Sequence, residues 1–364
     1  MASTRPRARD LGIRIGELQP GPLNAIVDVP ELAVGHVSLI EGQGPLVQGE
    51  GPVRTGVTAI LPHSGNLFTE KVCAALEVIN GFGKSVGLPQ VAELGNLETP
   101  IVLTNTLSVW AAADALVDYV AEQNPRARSF NPVVGECNDG GLNDILGRHV
   151  KAEHVRQALE AASRENVEEG NVGAGVGMTG FNWKAGIGTA SRLLSGALEG
   201  YRLGALVLNN TGSARDLRVD GVPVGRHLLP PDQPPPPGGS IIIVLATDAP
   251  LESRQLHRVA KRATFGLARA GGIADHGSGD FVLASTTGNR ISAKGEQRLM
   301  GKSLVAETDL GGLFRAAIET TEEAILNSLL QAETMVGRDG VVRPAIPIDE
   351  LLEVLHRYGA GATE

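Results

Sequence analysis

Short apolar runs punctuated by glycine and proline predict the strands of this chain, and a helical spacing of apolar residues predicts its helices. The strands so predicted lie at 25–30, 56–62, 101–105, 204–210, 240–246 and 281–284, with a short one after a turn at 338–340. The helices so predicted lie at 69–80, 150–163, 256–267 and 314–329. Strands mixed with helices long enough to cover sheets predict a layered α/β or α+β sandwich.

The start of the predicted strand at 240–246 is the most informative position. A proline tract at 230–237, which includes only two other residues, and the pair Gly238-Gly239 precede Ser240. A stiff tract before a glycine pair is typical of an exposed connection. If the Gly239–Ser240 bond is cut, a hydroxyl and a free α-amine lie together at the first residue of the strand, as in N-terminal nucleophile enzymes. On these residues alone, an ordinary loop serine is the commoner interpretation.

Composition bounds the class of protein. With 364 residues, 42% hydrophobic and 20% charged, and with no long polar linker, the chain is expected to form one domain over 1–364. A net charge of −9 argues against a nucleic-acid partner, which needs a concentrated basic face. No apolar run has the length of a signal or a membrane span, and two cysteines, Cys73 and Cys137, cannot build a disulfide framework. We therefore expect a cytoplasmic protein without a membrane partner.

Several motifs fail on inspection. Two Gly-Lys-Ser triplets, at 83–85 and 301–303, lack the earlier glycine of a phosphate-binding loop. Segment 175–180 matches the dinucleotide fingerprint, but no strand precedes it. The histidines form no His-Glu-x-x-His pair, and no Gly-x-Ser-x-Gly nucleophile elbow occurs. Cys137 is interpreted as a buried structural thiol rather than a nucleophile. We expect no metal and no cofactor.

A resemblance to one family extends over nearly the whole chain. The matching segments share glycine-rich or strand-end sequences in a fixed order and lie at 21–26, 34–37, 103–109, 135–140, 186–192, 239–240 and 277–280. Together they resemble the L-aminopeptidase/D-amino-acid esterase-amidase family, the DmpA-like enzymes, which are related to the β-peptidyl aminopeptidases.

The resemblance implies an α+β fold, a four-layer αββα sandwich of the N-terminal-nucleophile-hydrolase type. It also implies self-cleavage between Gly239 and Ser240 into chains of 1–239 and 240–364 that stay associated. Relatives commonly assemble as tetramers of such processed pairs, so a homo-oligomer is expected. The expected substrates are small peptides and aminoacyl amides or esters.

The resemblance also implies a role for each residue that matches a functional position of the family. Ser240 matches the nucleophile, and Ser278 matches a second serine that hydrogen-bonds the nucleophile. Asp280 stands where relatives carry an acidic group that orients that serine. Asn210 matches the side-chain donor of the oxyanion hole, and Glu136 matches the carboxylate that holds the substrate amine.

These roles suit the residue types, although ordinary structural roles compete with them. A serine hydroxyl needs a base, and the α-amine of a processed Ser240 has a reference pKa of about 7.7–8.0. An asparagine amide can donate to an oxyanion, and Gly239 offers little steric resistance to attack on its carbonyl. Equally, Ser278 and Asn210 suit turns. Asn138 is predicted to contact the substrate together with Glu136. Some relatives place a tyrosine at this position, so the substitution indicates a different substrate pocket.

The sequence therefore favours a self-processing serine aminopeptidase or amidase that forms an acyl-enzyme on Ser240. It would release small N-terminal residues, either α-amino acids, β-amino acids or D-alanine from amides and esters. One alternative is an acyltransferase with the ornithine-acetyltransferase fold, although those relatives use threonine at the cut. The other is an unprocessed, non-catalytic binding relative.

Overall fold

The computed structural model describes residues 5–231, 239–293 and 301–360. Its strands are β1 (Ala33–Glu41), β2 (Val53–Leu61), β3 (Glu70–Gly81), β4 (Asn96–Leu97), β5 (Ile101–Asn105), β6 (Val133–Cys137), β7 (Thr179–Gly180), β8 (Trp183–Lys184), β9 (Ile187–Leu193), β10 (Arg202–Asn210), β11 (Ser240–Thr247), β12 (Gly279–Ser292), β13 (Met335–Val336) and β14 (Val342–Arg343). Its helices are α1 (Leu88–Leu94), α2 (Val109–Gln123), α3 (Ala152–Glu160), α4 (Ser253–Ala270), α5 (Leu310–Leu330) and α6 (Ile348–Arg357).

Two sheets pack face to face between helices. One has the strand order β1-β2-β5-β6, and the other has the order β4-β3-β12-β11-β10-β9. Leu103 of the first sheet and Ile242 of the second belong to one buried cluster between the sheets. Val102 faces the other way, toward α2 and α3, and Ile243 faces α4 and α5. These layers confirm the predicted four-layer αββα sandwich.

Strand β11 lies in the middle of the larger sheet. It pairs antiparallel with β10 and parallel with β12, and Ser240 is in register with Asn210 on one side and Gly279 on the other. Because both faces of this strand are covered, its apolar run is continuous rather than alternating. The predicted strand at 240–246 is therefore confirmed, and it places Ser240 at an edge where three strands begin or end.

The predicted helix at 69–80 is wrong, because this segment forms strand β3. Val72 and Ala74 point into the cluster between the sheets, whereas Cys73 and Ala75 point toward the outer helices. Burial on both faces removes the period of two that would have identified a strand. The predicted strand at 25–30 is also wrong, since Ile26–Asp28 forms a 3₁₀ turn.

The structure bears on two further predictions, one about membrane spans and one about the proline tract. Among the described residues, no helix combines the length and the apolar character needed to cross a bilayer. The proline tract expected to form a surface loop lies outside the described residues, except for Pro230 and Pro231.

Candidate active site

The amino-terminal end of β11 borders a cavity of about 550 Å³. The lining comes from the turns after β3 and β5, the end of β6 and the loop that follows it, the β7 region, the end of β10, the starts of β11 and β12, and β14. Five predicted site residues line it, namely Glu136, Asn138, Asn210, Gly239 and Ser240. Ser278 and Asp280 are not part of this lining. The volume lies in the range of small-molecule sites.

Ser240 is buried, with 6% of its surface exposed, and its side chain lies beside the thiol of Cys137. Cys137 is fully buried at the end of β6 and also donates toward the carbonyl of Leu208. Burial, with the adjacent Glu136 carboxylate, raises the pKa of the Cys137 thiol well above its usual value. The thiol therefore stays protonated at neutral pH and contacts the serine as a structural partner, as expected from its sequence.

The Gly239–Ser240 peptide lies between two cavities. Gly239 lines the large cavity and also a second one of about 100 Å³, which Ser278 lines as well. The carbonyl oxygen of Gly239 accepts a hydrogen bond of 3.3 Å from the backbone N–H of Gly279. A Cβ atom at position 239 would lie 3.0 Å from the Cα of Thr211, so a larger residue would be crowded by backbone.

Ser278 and Asp280 form a hydrogen-bonded pair beside this peptide. The hydroxyl of Ser278 donates to Oδ1 of Asp280 at 2.6 Å, and both residues are buried. The other oxygen, Oδ2, has no hydrogen-bond partner among the described residues. Burial raises the pKa of Asp280 to about 6, although the hydrogen bond from Ser278 opposes that shift. In the intact chain Ser278 thus donates to Asp280, while the Ser240 side chain lies beside Cys137.

Asn210 is held with its amide nitrogen toward the cavity. Its Oδ1 accepts a bond of 2.8 Å from the backbone N–H of Thr179, which fixes which end of the amide is the oxygen. Its Nδ2 donates to the backbone carbonyl of Asn138 at 3.1 Å. An amide nitrogen carries a second N–H, so Asn210 can also donate to an oxygen of a bound substrate.

Glu136 is 3% exposed, and both of its oxygens accept hydrogen bonds. The backbone N–H of Lys84 donates to Oε1 at 2.7 Å, and the hydroxyl of Thr106 donates to Oε2. A Cβ atom on the neighbouring Gly83 would lie 3.3 Å from Oε1 and 2.5 Å from the ring of Phe281, so glycine lets this turn approach the carboxylate. The carboxylate is therefore rigid and faces the cavity.

Asn138 contributes its backbone more than its side chain. Its carbonyl receives the bond from Asn210, while its side-chain oxygen accepts from the N–H of Gly140 and so shapes the local turn. The substrate contact predicted for Asn138 remains a prediction.

Sequence reasoning missed the groups that orient Glu136 and Asn210. Thr106 lies inside the segment 103–109 that carried the family resemblance, and that segment was the available signal. Lys84 belongs to the Gly-Lys-Ser triplet rejected as a phosphate loop, and its backbone N–H, rather than its side chain, serves the site. Thr179 lies in the rejected dinucleotide motif at 175–180 and likewise acts through its backbone.

The loop that carries Thr179 is fixed by a buried lysine. Lys184 is fully buried, and its ammonium donates to the carbonyls of Gly175 at 3.1 Å and Met178 at 2.9 Å, and to that of Ala185. Three carbonyls match the three donors of an ammonium. Lys184 therefore holds the loop in the position from which Thr179 orients Asn210.

Comparison with known proteins identifies the family of this chain. A sequence profile described as peptidase family S58 matches residues 24–343. The chain belongs to peptidase family S58. It is 42% identical over 97% of its length to a "Beta-peptidyl aminopeptidase BapA" of Sphingosinicella microcystinivorans, of which it covers 92%. The resemblance inferred from the sequence is thereby confirmed.

Solved structures of similar proteins support the S58 fold. The PH0078 protein of Pyrococcus horikoshii OT3 is 52% identical, with a TM-score of 0.93, and the match covers 98% of this chain and 100% of that protein. The L-aminopeptidase D-Ala-esterase/amidase of Ochrobactrum anthropi, described as a prototype of the serine aminopeptidases, is 37% identical. Its TM-score is 0.92, and the match covers 98% of this chain and 100% of that one. That structure is a variant of the N-terminal-nucleophile hydrolase fold, as expected here.

Proposed function

We propose that this S58 peptidase is a self-processing serine aminopeptidase with Ser240 as its nucleophile. The observation that carries the proposal is the shared cavity at the start of β11, which brings together the Ser240 side chain, the Asn210 amide and the Glu136 carboxylate. A hydroxyl, a donor for an oxyanion and a site for an ammonium are the groups that hydrolysis of an N-terminal amide requires.

Self-cleavage is proposed to begin with attack of Ser240 Oγ on the carbonyl carbon of Gly239. The C–N bond between them breaks, the serine proton passes to the Ser240 nitrogen, and an ester forms. Water then hydrolyses the ester and regenerates the hydroxyl, leaving a carboxylate on Gly239 and a free amine on Ser240. The Gly279 N–H, already 3.3 Å from the Gly239 oxygen, is placed to stabilise the oxyanion.

Turnover is proposed to use the same hydroxyl on a substrate. The substrate ammonium binds Glu136, its carbonyl oxygen accepts from Asn210, and Ser240 Oγ attacks the carbonyl carbon. The α-amine of Ser240 accepts the serine proton and gives it to the leaving amine, since its reference pKa of about 7.7–8.0 suits both transfers. Asp280 orients Ser278 beside this amine. Water then releases the acyl group.

The substrate class follows from the cavity and the relatives. The rigid, buried Glu136 favours substrates with a free amino end, which makes the enzyme an exopeptidase. Relatives are described as β-peptidyl aminopeptidases and as an L-aminopeptidase D-Ala-esterase/amidase. We infer that small N-terminal residues are released, with α-amino acids, β-amino acids and D-alanine as the classes to compare. The single domain, the tetramer and the cytoplasmic location remain predictions from the sequence.

Intact-mass analysis with N-terminal sequencing tests the proposal first. Processing of the 37.9 kDa chain at Gly239–Ser240 should give pieces of roughly 25 and 13 kDa by residue share, the smaller one beginning Ser-Ile-Ile-Ile. Ser240→Ala should give one uncleaved and inactive chain, whereas Ser195→Ala, at an exposed serine, should process normally. A Ser240→Ala protein that still divides at this bond would remove the self-processing mechanism. A wild-type chain that stays whole would favour the non-catalytic alternative.

A further inference from the structure

The cavity holds a charged residue that the proposed reaction does not use. Among the described residues that line it, Arg343 is the buried cation, with 7% of its surface exposed. Lys84 also lines the cavity, but its side chain is exposed. Its ammonium donates to the backbone carbonyl of Phe82 at 2.7 Å and lies 4.1 Å from the centroid of the Phe82 ring. Glu136 is the acidic group of the lining.

Arg343 reaches the cavity from strand β14, whose hairpin with β13 is fixed to three neighbouring segments. The Arg54 guanidinium donates to the carbonyl of Val336 at 2.8 Å, and the backbone N–H of Arg338 donates to the carbonyl of Leu142 at 2.8 Å. Immediately after Arg343, the carbonyl of Pro344 accepts a 2.8 Å bond from the backbone N–H of Lys184. The backbone that carries Arg343 is thereby fixed, and the guanidinium donates through Nη1 to the carbonyl of Val342 at 3.5 Å.

The hydrogen bond from Lys184 to Pro344 also connects the segment of Arg343 with the segment that supports Asn210, the proposed donor to the substrate carbonyl. Strand β8 pairs with β7, with Lys184 opposite Thr179, and the N–H of Thr179 holds Asn210. Arg343 therefore lies on a strand that is hydrogen-bonded, through β8 and β7, to the segment that orients Asn210. Glu136 is instead held by Lys84 and Thr106. The cavity thus presents an anion and a cation on separately supported segments.

We propose that Arg343 binds the carboxylate of the leaving fragment, so that the preferred substrates are short peptides with a free C-terminal carboxylate. This inference rests on the proposed function. The substrate ammonium occupies Glu136, its carbonyl lies at Ser240 and Asn210, and the carboxylate beyond the scissile bond pairs with the guanidinium. A planar guanidinium binds a carboxylate through two parallel hydrogen bonds, which makes the pair both strong and directional. A dipeptide, about 7 Å long when extended, suits a cavity of about 550 Å³.

The test compares a dipeptide Xaa-Gly with its amide Xaa-Gly-NH₂, where Xaa is the best accepted of L-alanine, D-alanine and β-alanine. Wild-type enzyme should hydrolyse the free acid with a kcat/KM about tenfold or more above that of the amide. Arg343→Gln should lower kcat/KM for the acid about 10- to 100-fold and for the amide less than about twofold. Arg343→Lys, which keeps the charge without the planar fork, should retain part of the preference.

Arg338→Gln is the matched control, because it removes the same charge from the same hairpin at a side chain paired with Asp339. It should change neither kcat/KM value by more than about twofold. Intact-mass analysis of each variant shows whether it still folds and processes. If Arg343→Gln does not, Arg343→Lys supplies the comparison. Equal losses on acid and amide, or no preference in the wild type, would overturn the proposal.

Failure of the proposed function gives a different result. If wild-type protein hydrolyses neither peptide, the aminopeptidase assignment fails, and calorimetric titration with the same two peptides then decides the role of Arg343. Tighter binding of the acid by about tenfold, lost in Arg343→Gln, supports carboxylate recognition. Equal affinity for acid and amide overturns it.

Discussion

Two buried carboxylates beside the nucleophile differ in how their oxygens are satisfied. Glu136, at the end of β6 in the smaller sheet, has donors on both oxygens and lines the large cavity. Asp280, near the start of β12 in the larger sheet, has the Ser278 hydroxyl on one oxygen and no partner among the described residues on the other. Burial raises the pKa of Asp280 to about 6.

The difference suits the two carboxylates to different tasks. A carboxylate whose two oxygens accept a backbone N–H and a hydroxyl is held in a fixed orientation, which suits recognition of a cation. A buried carboxylate with one unsatisfied oxygen changes its protonation near the working pH, which suits control of a neighbouring hydroxyl. Substitutions at the two positions should therefore fail in different ways.

The largest effect is expected from Glu136→Gln. The amide keeps the size of the side chain and can still accept from the Lys84 N–H, but it removes the anion that binds the substrate ammonium. We expect kcat/KM to fall on the order of 10²–10³-fold, because an ammonium is left without its buried partner. Self-cleavage should remain, since Glu136 takes no part in it, and intact mass measures that. A Glu136→Gln enzyme with normal kcat/KM would remove amine recognition from this residue.

A smaller effect, with a pH signature, is expected from Asp280→Asn. The ionised carboxylate draws the Ser278 proton toward itself, so wild-type activity should fall as the pH drops through about 6. The ratio of wild-type to variant kcat/KM should rise from about 1 below pH 5 to about 10 above pH 7. Asp118→Asn, at an exposed position of α2, should leave a ratio of 1 at every pH. A ratio for Asp280→Asn that does not vary with pH would contradict the assignment.

The stability of the Asp280→Asn variant should change with pH in the opposite sense. The folded-state pKa of Asp280 is raised to about 6 from 3.8, so its favourable contribution is present below pH 3.8 and is lost as the pH rises through about 6. The free energy of unfolding of the variant, minus that of the wild type, should therefore become more positive between pH 4 and pH 7. Denaturant titrations at the two pH values measure the difference, and a constant offset would show that Asp280 does not titrate there.

The sequence predicted an element correctly where its length and residue composition distinguish a buried strand from a buried helix. The run after Ser240 has the length and β-branched composition of a core strand, and it forms one. The helix prediction for 69–80 failed because residues 72–75 of β3 are buried on both faces, so Val72, Ala75, Leu76 and Ile79 imitate a helical stripe. The two-sheet arrangement came from the family resemblance, since the pairing of distant strands leaves no local signature.

The sequence predicted the site residues that act through their side chains, because the family resemblance identifies residue types at given positions. Glu136 and Ser240 came from matched segments, Asn210 came from its position at the end of a predicted strand, and the structure brings all three to one cavity. The N–H groups of Lys84 and Thr179 that orient them are backbone donors, which every residue except proline supplies. Such positions depend on how the chain folds, and residue identity does not report them.

The smallest effect is expected from Thr106→Val, which tests whether the hydrogen bonds to Glu136 matter as well as its charge. Valine has nearly the shape of threonine but cannot donate to Oε2, so the carboxylate keeps its charge and only the Lys84 donor. We expect KM to rise about three- to tenfold with little change in kcat, because one hydrogen bond that orients the binding group is lost. Thr106→Ser retains the hydroxyl and should behave as wild type. If both variants match the wild type, the charge of Glu136 alone accounts for recognition; if kcat falls instead of KM rising, Thr106 acts on the reacting groups rather than on the bound amine.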